Sequence, residues 1–529
     1  MVRTIARSEE VSMFFALAVS AALFAAPARQ ASPAALSFLT PSPPITIGTD
    51  PLNFPDTENA TAVGSVIATN GFTTVSIFQT GRFYGDASAG MGFTTATGGG
   101  AQWVQGQLPG LTRAQNAANP YDRVTFQTIA YDAKYDEFLV SLLPIVDTPS
   151  NGDEDTTLPP VVMRSRDGIH WTAPVVTSPG GVRPEKNYIA CDNNRFSRYY
   201  GSCYVAWDES DNGFRFHVNA STDGGATWGP TRTAVDAHAA YGSVPVILPN
   251  GNVVITSEDG NGFDYAAANI ISSVSTDGGT TWSAAYEVSP IAIHPVAAAM
   301  RTQPLPTSGV DSAGNVFTVW QDCRFRSGCS SNDLVMSTSQ NGVNWTAPTR
   351  IALDAVTSGV DHFLPAISLR TSLLGTTIGL SYYEFPQANC TVSTCLLQAM
   401  FSNSGNQGAS WSTPVPIGGA MNLAWLPVTS AGYMVGDYFS SAYPLSYEAP
   451  LALATAPNGA YAEQIEIVPW GGLSPGLFGV RAGASSGRSG IGTADDAALH
   501  RGAKAPAFRR ASFAPRPHAA TARHRSLGF

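Results

Sequence analysis

The chain has 529 residues, of which 44% are hydrophobic, and its 29 Lys and Arg against 39 Asp and Glu give a formal net charge of −10. This acidic balance argues against nucleic-acid binding, which depends on a basic surface. After the N-terminal region, no segment approaches the roughly twenty apolar residues of a membrane-spanning helix.

Residues 1–28 are predicted to be a secretory signal peptide. Arg3 and Arg7 precede an apolar run at 13–26, which ends in the small-residue pattern Ala26-Pro27-Ala28. The run is short for a membrane span, so a cleaved signal is favoured over an uncut anchor. We therefore expect a secreted, extracellular protein whose mature chain begins with an N-terminal extension, 29–54.

Cysteine spacing fits an oxidising compartment. The six cysteines form three local pairs separated by polar, turn-forming residues: Cys191 with Cys203, Cys323 with Cys329, and Cys390 with Cys395. Six cysteines allow about fifteen connectivities, and the local pairing predicts three disulfides that each close a loop. A zinc site is the weaker alternative, because no Cys-x-x-Cys or clustered His accompanies these cysteines.

A short motif, Ser-x-Asp-Gly followed after two or three residues by Trp, recurs along the chain. Its strongest copies lie at 165–171, 221–228 and 275–282, weaker ones at 337–345 and 402–411, and a degenerate one ends at Trp103. The tryptophans recur every 54 to 68 residues, close to the size of one four-stranded repeat. The residues that define the strongest copies are Asp167, Trp171, Asp223, Trp228, Asp277 and Trp282.

The motif has the chemistry of a tight hairpin. An Asp side chain accepts hydrogen bonds from backbone N–H groups that follow it, and Gly supplies the positive φ of the turn. The repeat resembles the Asp-box of sialidases and related proteins. This resemblance implies an all-β fold, a β-propeller of four-stranded antiparallel blades, in which the Asp-box turns lie on the edge remote from the active site.

The predicted propeller covers residues 55–475. Six repeat units end near Ile417, and a further unit from about Ala424 to Pro469 has strands but no box, so six or seven blades are expected. Residues 476–529 are rich in Ala, Gly, Ser, Pro and Arg and lack apolar periodicity, which predicts a disordered basic tail.

Ligands usually bind a propeller at the mouth of its central channel, where strand connections supply functional groups. The mouth residues expected here include Arg123, Glu185, Lys186, Asp208 and Glu258. The segment from Trp320 to Arg326 places Asp322 and Arg324 beside a predicted disulfide. Pairing of Asp322 with Arg324 as a structural brace is as plausible as a ligand role.

The sialidase resemblance implies a set of roles for mouth residues. Three arginines would bind the substrate carboxylate, a Tyr activated by a Glu would be the nucleophile, and an Asp would be the acid/base. The corresponding substrate-binding residues are Arg123, Arg301, Arg324 and Asp437, and the catalytic ones are Asp322, Tyr438 and Glu384, with Glu258 as an alternative to Glu384. The Arg-Ile-Pro signature of the family is absent from the sequence.

Three functions follow from these observations. The first is a secreted sialidase-type glycoside hydrolase acting on terminal sugars of extracellular glycans or glycoproteins. The second is a non-catalytic propeller that binds glycan or protein at an acidic mouth, and the third is hydrolysis of a neutral polysaccharide by two mouth carboxylates. No cofactor or metal is expected, since the eight His are scattered, and a monomer is expected.

Overall fold

The computed structural model describes residues 43–482 except 86, 99–101, 148–155, 179–182, 211–212, 237, 261–267, 374, 444–447, 457–461 and 469–479. The predicted signal peptide and the tail beyond residue 482 lie outside these residues. The described chain is built of β-strands and contains three short 3-10 turns, Ala297–Ala299, Ser327–Cys329 and Leu423–Trp425, which confirms the all-β prediction. No helix in this part of the chain has the length and apolarity to cross a membrane.

The strands are antiparallel neighbours in most sheets and follow one another closely in sequence. In chain order they are β1 (Ile45–Gly48), β2 (Thr57–Thr69), β3 (Thr73–Phe83), β4 (Ser88–Thr97), β5 (Gln102–Gln107), β6 (Arg123–Asp132), β7 (Glu137–Val146), β8 (Thr156–Thr157), β9 (Val161–Ser165), β10 (Val175–Val176), β11 (Pro184–Cys191), β12 (Cys203–Glu209), β13 (Arg215–Ser221), β14 (Tyr241–Ile247), β15 (Val253–Glu258), β16 (Asn269–Ser275), β17 (Tyr286–Pro290), β18 (Thr307–Val310), β19 (Val316–Asp322), β20 (Asp333–Ser339), β21 (Thr349–Arg350), β22 (Asp361–Ser372), β23 (Gly375–Phe385), β24 (Leu396–Ser404), β25 (Val415–Asn422), β26 (Val428–Thr429), β27 (Gly432–Tyr433), β28 (Leu451–Thr455), β29 (Ala462–Ile467) and β30 (Val480–Ala482).

A single residue pair, Ser88 with Val124, joins β4 to β6, so that thirteen strands from both ends of the described chain form one continuous hydrogen-bonded sheet. Within the described residues, strands that are consecutive in sequence fall into six groups, which we call sheets 1 to 6. They are sheet 1 (β2–β5), sheet 2 (β6, β7, β9 and β10), sheet 3 (β11–β13), sheet 4 (β14–β17), sheet 5 (β18–β21) and sheet 6 (β22–β25). In sheet 3, a bridge between Val218 and Arg232 occupies the position of a fourth strand. The second strands β12, β15 and β19 are buried along their whole length, because each packs between other strands and against both neighbouring layers.

A further sheet joins the two ends of the described chain. Strand β29 pairs with β28 and with β1, and a single parallel pair, Thr61 with Glu463, connects it to β2. This closing sheet contacts β25 of sheet 6 and β2 of sheet 1. Strand β1 lies in the predicted N-terminal extension and β30, which pairs with β5, lies in the predicted tail. The sheets therefore begin before residue 55 and include three residues after 475.

The first strands of successive sheets contact one another and surround a single cavity of about 220 Å³. Each of the six sheets contributes at least one residue to its wall; one from each is Val66, Thr128, Tyr188, Val244, Thr307 and Leu364. Residues 437–441, which follow β27, line the same cavity. The six sheets are thus arranged around a common centre that a later segment of the chain enters.

The recurring motif forms the turn between the third and fourth strands of sheets 2 to 6, which we call the box turns. In each turn the last Ser of the third strand accepts a hydrogen bond from a turn Gly; in sheet 4, Ser275 Oγ accepts from Gly279 N at 2.9 Å. Asp277 Oδ1 accepts from the backbone N of Thr280 and Thr281 at 3.1 and 2.9 Å. In the two weaker copies, Ser339 and Ser404 occupy the Ser position, two residues after the serines at which those copies begin.

Each box turn also rests on the sheet before it. A Cβ built on Gly225 would lie 2.5 Å from Leu139 in sheet 2, and one on Gly342 would lie 2.6 Å from Val254 in sheet 4. The Trp282 indole meets Phe216 of sheet 3 edge to face, with ring centroids 5.4 Å apart. Glycine is required at these positions both for its positive φ and because the preceding sheet leaves no room for a side chain.

The three disulfides join Cys191 to Cys203, Cys323 to Cys329 and Cys390 to Cys395, which confirms the predicted local pairs. The first closes the loop between β11 and β12. The other two close parts of the β19–β20 and β23–β24 connections. All six cysteines are used.

Candidate functional site

The first strand of each sheet begins at the same edge at which the second strand ends, because the two strands are antiparallel. Across this edge Glu185 is paired with Asp208, Tyr241 with Glu258, and His362 with Glu384. We call this edge the mouth face and the opposite edge, which carries the box turns, the box face. Strand geometry therefore collects on the mouth face most of the charged residues that the sequence analysis singled out.

Asp437 is the centre of a buried ionic cluster on the mouth face. Arg301 donates to both of its carboxylate oxygens, from Nε at 2.5 Å and from Nη2 at 2.7 Å. The Lys186 ammonium donates to Oδ2 at 2.7 Å. Burial opposes ionisation of Asp437, but the Arg301 and Lys186 charges outweigh it and hold the pKa of this carboxyl far below its ordinary value.

Aromatic rings enclose the cations of this cluster. Lys186 Nζ lies 3.9 Å from the centroid of the Phe126 ring and 5.5 Å from that of Tyr241. Only 1% of the Lys186 side chain is exposed, so its charge is compensated by Asp437 and by ring faces rather than by water. The Tyr241 hydroxyl accepts from Gln303 Nε2 at 2.9 Å, which joins sheets 4 and 5 beside the cluster.

Asp208, at the end of β12, has an environment opposite to that of Asp437. Its Oδ1 accepts from Gly242 N at 3.3 Å, and its buried Oδ2 has no hydrogen-bond partner among the described residues. Burial and, after it, the nearby charge of Glu185 raise the pKa of Asp208 well above its ordinary value. Asp208 and Asp437 both act electrostatically on Tyr241 and Tyr438. A carboxyl whose pKa is raised and one whose pKa is lowered thus act on the same two tyrosines.

The cavity at the centre of the six sheets reaches this cluster. Tyr188, Gln303, Asp437 and Tyr438 all contribute to its lining. The rings of Tyr188 and Tyr438 lie 4.7 Å apart at an angle of 33°. The segment 437–441 therefore places Asp437 and Tyr438 in the wall of the cavity. They lie beside Tyr188 in the first strand of sheet 3, and Gln303, which precedes the first strand of sheet 5, lines the same cavity.

The three arginines predicted to bind a substrate carboxylate are held by three different carboxylates. Arg301 binds Asp437, as described above. Arg123 donates to Asp147 from Nε at 3.1 Å and from Nη2 at 2.6 Å, and Arg324 donates to Asp322 from Nε at 2.9 Å and from Nη2 at 2.6 Å. The arrangement does not correspond to the predicted clamp, because each guanidinium is engaged by an aspartate of the chain itself.

Asp322, the predicted acid/base, is fully buried and braces neighbouring segments. Besides Arg324, its carboxylate accepts from the backbone N of Ala292 at 3.2 Å and from Trp320 Nε1 at 3.2 Å. These contacts correspond to the structural alternative considered from the sequence. The pair Asp322 and Arg324 holds the end of β19 to the segment that follows β17.

The predicted nucleophile Tyr438 and its predicted activator Glu384 lie in different clusters. The Tyr438 hydroxyl donates to the carbonyl oxygen of Asn187 at 3.4 Å, and burial raises its pKa. Glu384 lies 3.6 Å from His362 Nε2, and burial followed by the charge of Asp354 raises its pKa to about 7. The tyrosine beside Glu384 is Tyr382, which acts on the pKa of Glu384, and not the predicted Tyr438. The alternative activator Glu258 is paired across the strands with Tyr241.

The sequence placed Lys186 and Asp208 at the mouth but assigned them no role. It did not identify three further residues beside the cluster, Tyr188, Tyr241 and Gln303. A signal for the tyrosines exists: each lies at or near the start of a first strand, at 188 in β11 and 241 in β14. The two tyrosines occupy different registers, since Tyr241 pairs with Glu258 at the end of β15 and Tyr188 pairs with Ala206 inside β12.

One group of possible metal ligands lies at the mouth face of sheets 5 and 6. Ligand atoms of Asp333, Asp354 and His362 are within 4.8 Å of one another. Arg326 donates to Asp333 at 2.6 Å and to Asp354 at 2.8 Å, and Arg350 lies 2.8 Å from Asp333. The guanidinium groups supply the positive charge that a cation would bring, so we interpret this group as an ionic network.

No family model matches the sequence, and no curated protein matches it. Among solved structures, a protein of unknown function from Dyadobacter fermentans is 13% identical over 68% of this chain and 98% of its own, with a TM-score of 0.42. An intramolecular trans-sialidase from Ruminococcus gnavus is 12% identical over 62% of this chain and 90% of its own, with a TM-score of 0.42. A Trypanosoma rangeli sialidase is 13% identical over 69% of this chain and 59% of its own, with a TM-score of 0.43. Similarity at this level does not assign an activity to the chain.

Proposed function

We propose that the chain is a secreted β-propeller of six four-stranded blades, with the closing sheet between the last and the first. Support comes from six sheets whose first strands line one cavity. The box turns provide further support, since each has the Asp-box bonding pattern and rests on the preceding sheet. The three disulfides support secretion, because such bonds persist in oxidising compartments.

The activity that we propose is hydrolysis of glycosidic bonds in neutral extracellular glycans at the mouth face. The observation that carries it is the position of Asp437 and Tyr438 in the wall of the central cavity, where Asp437 and Asp208 both act on Tyr438. The pKa is raised at Asp208 and lowered at Asp437. Glycoside hydrolases use such a division, in which a protonated carboxyl donates to the leaving oxygen near an ionised one. In this proposal Asp208 gives its proton to the leaving oxygen as the glycosidic bond breaks, and water adds to the anomeric carbon and returns a proton to Asp208. Asp437 stays ionised on Arg301 and Lys186.

A neutral sugar fits this mouth better than sialic acid does. Arg301 has the geometry that binds a substrate carboxylate, two N–H donors toward two oxygens, but Asp437 already fills it. Arg123 and Arg324 are likewise engaged by Asp147 and Asp322. An anionic sugar would have to displace a buried aspartate from two cations, whereas a neutral sugar can stack on tyrosine rings without that exchange.

The test is turnover of a panel of neutral aryl glycosides and an aryl α-sialoside by the purified mature chain and an Asp208→Asn variant. Loss of the proton donor is expected to lower kcat by about a hundredfold or more, with little change in KM. Glu209→Gln, which alters the neighbouring residue bound to His217, is the matched control. Turnover of the sialoside alone, or full activity in Asp208→Asn, would contradict the proposal.

Binding without hydrolysis is the second candidate. It is favoured by burial: Asp208 is fully buried, and the side chain of Asp437 is 4% exposed. A substrate would reach these groups only if the mouth opened. Saturable binding of a neutral oligosaccharide by the wild type, without turnover of any aryl glycoside, would establish this candidate in place of the first.

A further inference from the structure

The box face carries an exposed loop whose chemistry differs from that of the acidic chain around it. Residues 192–202 connect β11 to β12, and the disulfide between Cys191 and Cys203 closes the loop at its base. At its tip the Phe196 side chain is 82% exposed. The guanidinium carbon of Arg195 lies 4.8 Å from the centroid of the Phe196 ring, and that of Arg198 lies 4.6 Å from the Tyr199 ring.

The loop is held firmly against the next sheet. The Tyr199 ring lies over the box turn of sheet 4, where a Cβ on Gly278 would be 2.5 Å from Tyr199 Cε1. Arg198 Nη2 donates to the carbonyl oxygen of Thr276 in the same turn. The exposed aromatic and basic groups are therefore presented on a fixed support, which reduces the entropy lost when they bind a partner.

The same arrangement occurs one sheet earlier. The Tyr135 ring lies over the box turn of sheet 3, where a Cβ on Gly224 would be 2.9 Å from Tyr135 Cγ, and its hydroxyl donates to the Thr222 carbonyl at 2.6 Å. Lys134 Nζ lies 5.1 Å from the Tyr135 ring centroid. The Lys134 side chain also lies against Gly201 of the disulfide-closed loop.

These six residues form one continuous feature, which we call the cation–aromatic strip: Lys134, Tyr135, Arg195, Phe196, Arg198 and Tyr199. Its three cations contact aromatic rings, and none of them forms an ion pair with any carboxylate in the part of the chain that the structure describes. Arg195, Phe196 and Arg198 are exposed, as is Lys134. The strip thus brings three cations and three aromatic rings together on a chain whose net charge is −10, with the Asp132 carboxylate near Lys134.

We propose that the cation–aromatic strip binds an anionic polysaccharide, away from the mouth face. Guanidinium groups bind carboxylate or sulfate groups through paired N–H donors, and an exposed aromatic ring stacks on the apolar face of a sugar. Cations supported on adjacent box turns offer repeated contacts to a chain molecule with repeated charges. The strip would hold the protein on a charged polymer while leaving the mouth open.

The experiment measures binding of the full mature chain to polygalacturonate, to dextran sulfate and to neutral dextran at low and high salt. We expect binding to at least one anionic polymer, weakening as salt rises. The relative affinity for the first two polymers distinguishes carboxylate from sulfate recognition. Two variants test the strip: the double substitution Arg195→Gln with Arg198→Gln, and Phe196→Ser.

Each variant has a matched control on another sheet. Arg370→Gln removes an exposed arginine of sheet 6, and Leu373→Ser removes an exposed apolar side chain from the turn after it. We expect affinity to fall at least about fivefold in both strip variants, since charge-assisted contacts are lost, and to remain unchanged in both controls. Unchanged binding in the strip variants, or equal binding to neutral dextran, would overturn the proposal.

A lipid surface is the other anionic partner that such a patch could contact. Vesicles containing phosphatidylglycerol provide that comparison, and binding to these vesicles without binding to either anionic polymer would also overturn the proposal. Asp208 takes no part in the strip. The result is therefore independent of the hydrolase test, and either proposal can fail without the other.

Discussion

The mouth face and the box face use aspartate in opposite ways. On the box face, Asp277 accepts hydrogen bonds from residues three and four positions later, within one turn. On the mouth face, Asp437 binds Arg301 and Lys186, which are 136 and 251 positions away in sequence. The box aspartates order a turn locally, and Asp437 holds distant strands together. Loss of an aspartate is therefore expected to have different consequences on the two faces.

The largest effect is expected from Asp437→Ala. This substitution removes the carboxylate that Arg301 and Lys186 share, although Glu185 stays 3.6 Å from Lys186. Breaking a buried ionic pair costs about 3–5 kcal/mol of the free energy of unfolding. Denaturant unfolding followed by tryptophan fluorescence measures the loss. Asp147→Ala is the control, since this carboxylate also binds an arginine but its side chain is 56% exposed, and a change below about 1 kcal/mol is expected there. Equal losses of unfolding free energy in the two variants would contradict the distinction between a buried and an exposed ion pair.

An intermediate effect is expected from Gly279→Ala on the box face. Gly279 has φ of 81°, and an added Cβ would lie 2.9 Å from the Tyr204 ring. Backbone strain and the clash together are expected to cost about 2–3 kcal/mol. Thermal and denaturant unfolding provide the measurement.

The control for this glycine is Gly110→Ala, which separates strain from packing. Gly110 has φ of 71°, but nothing lies within 4 Å of an added Cβ. A cost of about 1 kcal/mol is expected from the backbone conformation alone. If the two alanine variants are equally stable, the box turns do not depend on contact with the preceding sheet.

The last prediction is a pH dependence at the mouth face. Burial raises the pKa of Glu384 from 4.5 to about 7, so between these values the unfolded chain has released a proton that the folded chain keeps. Stability from this group is complete below pH 4.5 and is lost as pH rises toward 7, by at most about 3 kcal/mol. Glu384→Gln should weaken this decline, as measured by unfolding at a series of pH values. Asp361, whose pKa is also about 7, should preserve part of it. A decline of the same size in the variant would assign it to other groups.

The contrast between the faces also explains what could be predicted from the sequence. The repeat spacing indicated an all-β chain, and disulfides between cysteines 5 to 12 positions apart were predicted correctly because short loops limit the choice of partner. The partner of Asp437 could not be predicted in this way. It depends on how six sheets surround one cavity, and local spacing contains no information about which first strands meet there.

The predicted arginine clamp shows the same limit at single residues. Arg123, Arg301 and Arg324 were chosen because they lie where strands begin or end at the mouth, and such positions are readable from strand order. The aspartates that bind them could not be predicted, because each pairing depends on contacts in the folded chain. These aspartates are Asp147, Asp437 and Asp322. The exception is the pair of Asp322 and Arg324, which lie two residues apart. For this pair the sequence already suggested a structural ion pair as the alternative to a ligand role.

The closing sheet has a consequence for the order in which the molecule can be completed. Ser65 Oγ donates to the Pro450 carbonyl across 385 positions, and Thr46 donates to Gln464 across 418. These contacts need both ends of the chain, whereas each of the six sheets needs only residues that are close in sequence. During synthesis or export, the sheets can form one after another, but β2 and β25 keep their outer surfaces uncovered until the last strands have emerged. Completion of the sheets therefore requires the chain as far as β29.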